Sequence, residues 1–428
     1  MKKLLIKGGR LIEPESGIDG ICNIYVRDGR IESIRETASD KSPAEGFSVT
    51  DAGGMLVVPG LVDVHTHLRE PGFEYKETVA TGARAAASGG FTTVLAMANT
   101  EPVNDNQSVT RYILRKAAEA ALVKVLPIGA VSMGLAGKEL TEMAELKDAG
   151  CVAFSDDGIS VADAFFMRRA FEYAAPLGLP VITHAEDPEL SCGGSMNEGA
   201  VSTLLGLQGI PAAAEDVVVA RDIELVRLTG GRLHVGHVST GGTVELIRRA
   251  RKEGLRVTAE VTPHHLVFTD EALMGYDTNF KMSPPLRSAD DVAAVREGLK
   301  DGTLDCVATD HAPHSSIEKD LEWCAAANGV IGLETAFSAL YGLVEEGVFT
   351  LNEVVAFMTV KPALALGLEA GRLSEGSPAD LALIDLKKTW RPGRDTLKSR
   401  SLNSPFLGTE MKARVIKTIV NGRVVYNG

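Results

Sequence analysis

Cysteine is scarce in this sequence, and the spacing of the few cysteines excludes two classes of small, cross-linked domain. The 428 residues include five cysteines, an odd number, and no two of them form a Cys-x-x-Cys pair. A disulfide framework or a cysteine-rich zinc site needs closely spaced, paired cysteines. We therefore interpret these cysteines as reduced thiols and expect a cytoplasmic protein.

Long apolar runs and basic blocks are also missing. No run approaches the roughly 18–20 apolar residues of a membrane helix, and charged residues interrupt the segment 1–7 too early for a secretory signal. Lys and Arg number 44 against 57 Asp and Glu, which gives a formal net charge of −13. Because phosphates are bound by clustered positive charge, we expect neither a nucleic-acid nor a membrane partner.

Short alternating apolar and polar segments stand near both ends of the chain. A few short strands are not stable alone, so we predict that the two ends join in one small β-sandwich domain of residues 1–54 and 369–428, with a larger domain of residues 55–368 inserted between them. The segments that carry this prediction are residues 3–7, 23–26, 29–34, 379–385 and 415–426.

The middle of the chain alternates apolar strand candidates with helical stretches such as 111–121 and 244–253, which is typical of α/β proteins with a parallel sheet. Eight such units favour a (β/α)8 TIM-type barrel. The alternative, an open doubly wound sheet, usually carries a Gly-rich phosphate loop after its first strand, which is missing here. The candidate strands are residues 61–65, 91–97, 124–130, 151–155, 180–184, 232–238, 256–261 and 305–309.

The first barrel strand ends in two histidines. The apolar run from Val57 to Val64 predicts one buried strand, and residues two apart on a strand share a face, so His65 and His67 project together. Two imidazoles on one face can form half of a metal site. A single His-x-His pair is a weak signal, because many such pairs are ordinary polar residues at the end of a strand.

Further ligand-type residues follow other strands. In a barrel the carboxyl ends of the strands share one rim, so we expect these residues to meet the two histidines and form a metal site. Four imidazoles and two carboxylates exceed the ligand set of one catalytic zinc. We predict two zinc ions bridged by Asp157, with a single ion as the alternative, and Asp310 as the general base. The added residues are Asp157, His184, His237 and Asp310. We interpret His234, His264 and His265 as structural, the last two because neighbours on a strand face opposite ways.

A series of motifs in a fixed order extends over nearly the whole chain. The sequence resembles the dihydroorotases of the long bacterial type, within the amidohydrolase superfamily. The motifs are GLVDVHTHLREPGFEYKET (60–78), MANTEPV (97–103), VAFSDDG (152–158), ITHAED (182–187), MNEG (196–199), GGRLHVGHVST (230–240), TPHHL (262–266), PPLR (284–287), ATDHAPH (308–314), GLET (332–335) and GSPADLALID (376–385).

This resemblance implies the reaction and the residues that carry it. It implies reversible hydrolysis of (S)-dihydroorotate to N-carbamoyl-L-aspartate in pyrimidine biosynthesis, by a zinc enzyme that is a homodimer; association with aspartate transcarbamoylase stays open. The implied metal ligands are His65, His67, Asp157, His184, His237 and Asp310. Arg69, Asn99 and His314 would hold the substrate carboxylate, which agrees with the suitability of arginine for that task. His67, Ser283, Asn328 and Gly329 complete the implied substrate-binding set.

Three positions depart from the family pattern, and two alternative functions stay open. Ser283 stands where the family usually has Asn, and Ala98 stands where it usually has Pro. Before Gly329 this chain has Asn328, where the family usually has Phe. One alternative is a related cyclic amidase such as an allantoinase; the absence of a lysine at the end of the fourth strand argues against the hydantoinase branch. The other is a weakly active or non-catalytic partner of aspartate transcarbamoylase, which the complete ligand set disfavours.

Overall fold

A barrel of eight parallel strands forms the largest part of the fold. The computed structural model describes residues 3–40 and 45–428. Each barrel strand overlaps one of the predicted segments, so the predicted TIM-type barrel is confirmed. In chain order the strands, which we number first to eighth, are Leu61–Thr66, Phe91–Ala96, Lys124–Pro127, Phe154–Ser155, Val181–Thr183, Leu233–Val235, Val257–Val261 and Cys306–Val307.

Two pairs of bridging residues close the barrel. The first three strands form one parallel sheet and the last five form another. A parallel bridge between Gly129 and Phe154 joins the third strand to the fourth, and one between Thr66 and His311 joins the first strand to the chain after the eighth. Closure leaves no open sheet edge, which excludes the doubly wound alternative.

Helices pack around the barrel, and several of them begin at a residue whose side chain caps the first turn. Thr240, for example, accepts a hydrogen bond from the backbone N–H of Thr243, a favoured start for a helix. The helices are Val79–Ser88, Gln107–Ala120, Met143–Ala149, Ala164–Leu177, Ala200–Leu205, Ala213–Thr229, Gly241–Lys252, Pro263–Val267, Ala289–Lys300, Ser316–Lys319, Ala336–Glu345, Leu351–Met358 and Val360–Leu366, with 3-10 turns at Met133–Leu135, Asp270–Gly275 and Thr278–Phe280. None of the helices in the described ranges has both the length and the apolar character needed to cross a membrane.

A second sheet contains strands from both ends of the chain, as predicted. Its eight strands include Ser48–Asp51, which pairs with the first half of Lys3–Glu13. The other seven, in their order across the sheet, are Arg423–Asn427, Arg414–Val420, Leu381–Asp385, Leu56–Pro59, Lys3–Glu13, Ile18–Arg27 and Arg30–Glu36. The predicted boundary between the domains falls after residue 54, but the strand Leu56–Pro59 beyond it also pairs in this sheet. The boundary stays a prediction. Residues 1, 2 and 41–44 of the range 1–54 lie outside the described residues. A separate two-stranded pair, Met196–Asn197 with Gly209–Ile210, stands apart from both sheets.

The single strand predicted from Val57 to Val64 is wrong, because the chain changes sheets at Gly60. Leu56–Pro59 belongs to the terminal sheet, and Leu61–Thr66 belongs to the barrel. Successive side chains of Leu56–Pro59 point to opposite faces of the terminal sheet. Val57 therefore packs in the hydrophobic core of the terminal sheet, whereas Leu56 and Val58 pack in the core of the barrel. A side chain at Gly60 would clash with Thr92 on the second barrel strand, so only glycine fits at this junction.

Candidate active site

Six side chains from five strand ends meet at one rim of the barrel. His65 is the last residue but one of the first strand and His67 follows that strand, while the other four come from the loops after the fourth, fifth, sixth and eighth strands. Less than a tenth of each side chain is exposed. The structure thus brings together the six residues that the sequence analysis assigned to metal, namely His65, His67, Asp157, His184, His237 and Asp310.

Asp157 lies at the centre of the cluster. Its Oδ2 atom is 3.4 Å from His65 Nε2 and 3.3 Å from His67 Nε2. Its Oδ1 atom is 3.2 Å from His237 Nε2 and 3.5 Å from His184 Nδ1. Each oxygen therefore faces its own pair of imidazoles, an arrangement suited to a carboxylate that bridges two metal ions.

Asp310 completes the half of the cluster that contains His65 and His67. Its Oδ1 atom is 3.0 Å from His67 Nε2 and 3.6 Å from His65 Nε2. Asp310 and His237 have positive φ angles of 45° and 36°, as does Arg69 at 63°. Such conformations are unfavourable for residues other than glycine and cluster at functional sites, where the surrounding structure enforces them.

The cluster fits a divalent metal. His65 Nε2 is buried without a hydrogen-bond partner although it faces two carboxylates. Two groups of three side chains could each hold a metal ion, because within each group the ligand atoms lie within 4.8 Å of one another. One group is His65, Asp157 and His237, and the other is His65, His67 and Asp310. Imidazole nitrogens combined with carboxylate oxygens are the donors of catalytic zinc sites.

Hydrogen bonds behind the cluster orient two of its imidazoles. His65 Nδ1 lies 2.5 Å from Glu260 Oε1, and the other Glu260 oxygen lies 3.0 Å from Nε2 of the buried His234. Asn99 Oδ1 accepts a hydrogen bond of 2.8 Å from His67 Nδ1. An imidazole that donates through Nδ1 presents the Nε2 lone pair to a metal, so these contacts select the ligating tautomer.

The electrostatics of the cluster favour ionised carboxylates. Burial by itself would raise the pKa of Asp157, but His65, His184 and His237 hold that pKa well below its ordinary value. The pKa of Asp310 is likewise lowered against burial, by hydrogen bonding to His67 and by the charge of His65. The Glu260 carboxyl, buried between His65 and His234, has its pKa lowered to about 2. The two carboxylates at the rim and Glu260 behind them are therefore held in the ionised form, which is the form that can bind a cation.

Arg69 and His314 form a separate pocket wall beside the cluster. Arg69 is 9% exposed; its Nε donates to the carbonyl of Pro313 at 3.1 Å, and its Nη2 is 3.3 Å from His314 Nε2. Within the described ranges no carboxylate lies within ion-pair distance of Arg69. Burial and the Arg69 charge lower the pKa of His314 to about 3, which keeps its imidazole neutral. A buried guanidinium without a counter-ion is suited to an anionic ligand.

The other residues predicted to bind substrate differ in their surroundings. Gly329 packs so closely against His314 that a Cβ there would lie 3.1 Å from the imidazole Nε2. Ser283 Oγ donates to Glu186 Oε2 at 2.7 Å, and the Asn99 carbonyl accepts from His67, so each is already engaged. Asn328 is exposed. Their roles toward substrate stay predictions.

The strand assignment of His264 and His265 is wrong, and the site predicted from the sequence lacks Glu260. The two histidines lie on the short helix Pro263–Val267, where His265 is held by Thr262 and the carbonyl of Pro284. The buried His264 Nε2 has no hydrogen-bond partner. Glu260 could have been recognised, because an acid in an otherwise apolar barrel strand must point to a buried polar partner.

Comparison with known proteins agrees with this geometry. The solved L-hydantoinase (dihydropyrimidinase) from Arthrobacter aurescens has a TM-score of 0.88 and 28% sequence identity, with 100% of this chain and 96% of that chain covered. The dihydropyrimidinase from Brevibacillus agri NCHU1002 has a TM-score of 0.85 at 25% identity, with 99% and 95% covered. The barrel, the terminal sheet and the cluster at the rim thus define an amidohydrolase.

The sequence comparisons are more specific. A family model described as Dihydro-orotase-like matches residues 54–243. A dihydroorotase of Anaeromyxobacter dehalogenans (strain 2CP-C) is 55% identical over 425 residues, which cover 99% of this chain and 98% of that protein. A dihydroorotase of Geobacter metallireducens is 53% identical over 423 residues, with 99% of each chain covered. The chain belongs to the dihydroorotase family, which confirms the resemblance found in its motifs.

Proposed function

We propose that this protein is a dihydroorotase: a metal-dependent enzyme that reversibly hydrolyses (S)-dihydroorotate to N-carbamoyl-L-aspartate in pyrimidine biosynthesis. The observation that carries the proposal is the adjacency of two sites at one rim. A cluster of four imidazoles and two carboxylates lies beside a buried arginine that, among the described residues, has no carboxylate within ion-pair distance. A cyclic amide that carries one carboxylate needs both: a site that hydrolyses the amide and a cation that holds the acid.

The metal ligands in this proposal are His65, His67, Asp157, His184, His237 and Asp310. The two oxygens of Asp157, each facing its own imidazole pair, favour two zinc ions over one. A bound divalent metal supplies Lewis-acid polarisation of a carbonyl and lowers the pKa of water to roughly 7. The proposed bridging residue is the aspartate Asp157, whereas the hydantoinase branch is expected to have a lysine there. The bridge therefore favours a dihydroorotase over a hydantoinase.

The protein's own side chains then account for binding and proton transfer. Arg69 and the neutral His314 hold the substrate carboxylate and orient the ring with its amide toward the cluster. A water oxygen forms the new bond to the amide carbon while the ring C–N bond breaks. Asp310, held as an anion at the rim, accepts the proton of the attacking water and delivers it to the departing nitrogen. The product keeps that nitrogen in its carbamoyl group and gains a second carboxylate.

The test is an activity assay with defined metal content. The purified protein is stripped with a chelator, dialysed, and supplied with zinc in steps up to two equivalents. We expect hydrolysis of dihydroorotate to disappear on stripping and to return with zinc, and no comparable turnover of allantoin or hydantoin. Turnover of allantoin or hydantoin without turnover of dihydroorotate would assign the protein to another cyclic amidase.

Assembly and location form a second, separate part of the proposal. We expect a cytoplasmic homodimer, and association with aspartate transcarbamoylase stays open. Light scattering of the purified protein, alone and mixed with a transcarbamoylase, tests the assembly. A monomer with full activity would contradict the homodimer as the active form.

A further inference from the structure

Two buried lysines lie beside the carboxylate pocket, Lys281 in a loop and Lys319 at the end of the short helix Ser316–Lys319. Lys281 is 4% exposed and Lys319 is 5% exposed, and neither has a carboxylate within ion-pair distance in the described part of the chain. Lysine is rarely buried without an ion-pair partner. The two side chains therefore need another explanation.

Backbone carbonyls surround both ammonium groups. Lys319 Nζ donates to the carbonyls of Lys281, Ala327 and Gly329 at 3.1, 2.9 and 3.1 Å. Lys281 Nζ donates to the carbonyls of Trp323, Cys324 and Ala326 at 2.6, 3.2 and 2.6 Å. Each ammonium thus uses its three donors. We call this pair of side chains and the carbonyls they bind the lysine clamp.

The lysine clamp replaces secondary structure in an irregular loop. Five of its six carbonyls belong to residues 323–329, a segment without helix or strand. Buried carbonyls that lack a partner are costly, so the two ammonium groups hold this segment in one conformation. Thr278 Oγ1 adds a bond of 2.6 Å to the carbonyl of Lys319 and ties the two loops together a second time.

The clamped segment leads directly to the carboxylate pocket. Gly329, which packs against the His314 imidazole, donates its N–H to the carbonyl of Lys281 at 3.0 Å. The Gly329 carbonyl also accepts from Asn403 Nδ2 at 3.0 Å, and Asn403 Oδ1 accepts from the His314 N–H at 3.0 Å. A continuous set of hydrogen bonds thus runs from the two lysines to the residue that contacts Arg69.

The charge of the clamp is only partly compensated. Burial and the neighbouring Lys281 lower the pKa of Lys319 to about 7, and the charge of Asp277 opposes this shift only in part. Carbonyl dipoles reduce this positive potential without cancelling it. The remaining field favours an anion in the adjoining pocket.

We propose that Lys281 and Lys319 are positioning residues for recognition of the substrate carboxylate. They fix the wall formed by Gly329 and His314 and add positive potential, and they make no contact with the metal cluster. The inference rests on the proposed function and deepens it, because it assigns substrate affinity and turnover to different parts of the fold.

The test compares Lys281→Met and Lys319→Met with a matched control. Methionine keeps the length and apolar volume of lysine and removes the charge and donors. The control is Lys147→Met, since Lys147 Nζ also donates to a backbone carbonyl, that of Leu177, away from the rim. On zinc-loaded protein we measure KM and kcat for dihydroorotate, the Kd of dihydroorotate by calorimetry, and the inhibition constant of acetohydroxamate, a metal chelator without a carboxylate.

We expect KM and Kd to rise at least about tenfold in both clamp variants, in keeping with loss of charge-assisted hydrogen bonds. Values of kcat, zinc content and the acetohydroxamate constant should stay within about threefold of wild type, and Lys147→Met should change none of them. Amide hydrogen exchange in residues 323–329 should accelerate. A clamp variant that keeps the wild-type Kd, or whose acetohydroxamate constant rises together with KM, would overturn the inference.

Two further measurements keep the result decisive. If the methionine variants do not fold, Thr278→Val removes one bond of the same junction and should raise Kd by about two- to fivefold; an unchanged Kd there would contradict the clamp. Wild-type protein that binds dihydroorotate without hydrolysing it would contradict the proposed reaction alone. The ratio of Kd values between variant and wild type would then still decide the role of the lysines.

Discussion

Glu260 and His65 form a buried pair in which the carboxylate accepts from Nδ1 while Nε2 faces Asp157 and Asp310. The pair links the interior of the barrel to the rim, because Glu260 lies on the seventh strand and also contacts His234. The orientation of a ligand therefore depends on a residue that is not itself in the ligand set.

The first prediction concerns this pair. Glu260→Gln replaces an acceptor with a group that can donate to His65 Nδ1, so the ligating tautomer is no longer enforced. We expect metal affinity to fall about 10- to 100-fold, measured by competition with a chromogenic chelator. Glu271→Gln, at an exposed position, is the control. Unchanged metal affinity in Glu260→Gln would show that Glu260 has no influence on the ligand.

The second prediction separates chemistry from metal binding. Asp310→Asn removes the proton acceptor, and we expect kcat to fall by about 10²- to 10⁴-fold, the range for general acid–base catalysis. Zinc content should be largely retained, since five other ligands remain. Asp290→Asn, at an exposed position, is the control and should keep kcat within about twofold. Full turnover by Asp310→Asn would exclude Asp310 as the base.

The third prediction concerns the carboxylate. Arg69→Lys keeps a positive charge but loses the planar arrangement that contacts Pro313 and His314. We expect KM for dihydroorotate to rise about 10- to 100-fold with zinc content unchanged, because a buried charged hydrogen bond contributes roughly 1.5–3 kcal/mol. Arg84→Lys, on an exposed helical position, should leave KM unaffected. An unaltered KM in Arg69→Lys would place the carboxylate elsewhere.

The fourth prediction concerns the pH dependence of stability. Burial raises the pKa of Glu334 to about 7 although Ser88 and the N–H groups of Lys398 and Ser399 donate to it. A pKa raised on folding means that the stabilising contribution is complete below the ordinary pKa near 4.5 and is lost as pH rises through about 7. The shift corresponds to roughly 3 kcal/mol.

We therefore expect Glu334→Gln to reduce the loss of unfolding free energy between pH 5 and pH 8 relative to wild type. Urea denaturation at both pH values measures it, and the comparison with wild type removes contributions from other groups. Glu346→Gln, at an exposed position, should follow the wild-type dependence. Parallel curves for wild type and Glu334→Gln would show that Glu334 is already ionised at neutral pH.

The sequence predicted those features whose cause is local. The barrel strands were recognisable because each is a short apolar run, and His65 and His67 because a spacing of two places them on one face. Ligands after later strands followed from the rule that strand ends share a rim. The same reasoning failed at Gly60, where an uninterrupted apolar run passes between two sheets, and at His264, where a strand had already become a helix.

Features that depend on contacts between residues far apart in the chain are indicated by the sequence only weakly or not at all. The role of Glu260 depends on His65, 195 positions earlier, and only its polarity within an apolar strand marks it. Lys281 and Lys319 bind backbone carbonyls, which every residue has, so no motif could indicate the clamp. Ser283 departs from the family pattern, and its bond to Glu186 emerges only once the loops after two strands are side by side.

The junction at Gly60 has a consequence for synthesis of the chain. The strand Leu56–Pro59 is separated by one residue from the strand that carries His65, and it is hydrogen bonded to Leu381–Asp385, more than 300 positions later in the chain. A ribosome-bound chain can complete all eight barrel units before that partner emerges from the exit tunnel. The partner that anchors Leu56–Pro59 therefore becomes available only after all eight barrel units have been made, so the first barrel strand gains its anchor late in folding.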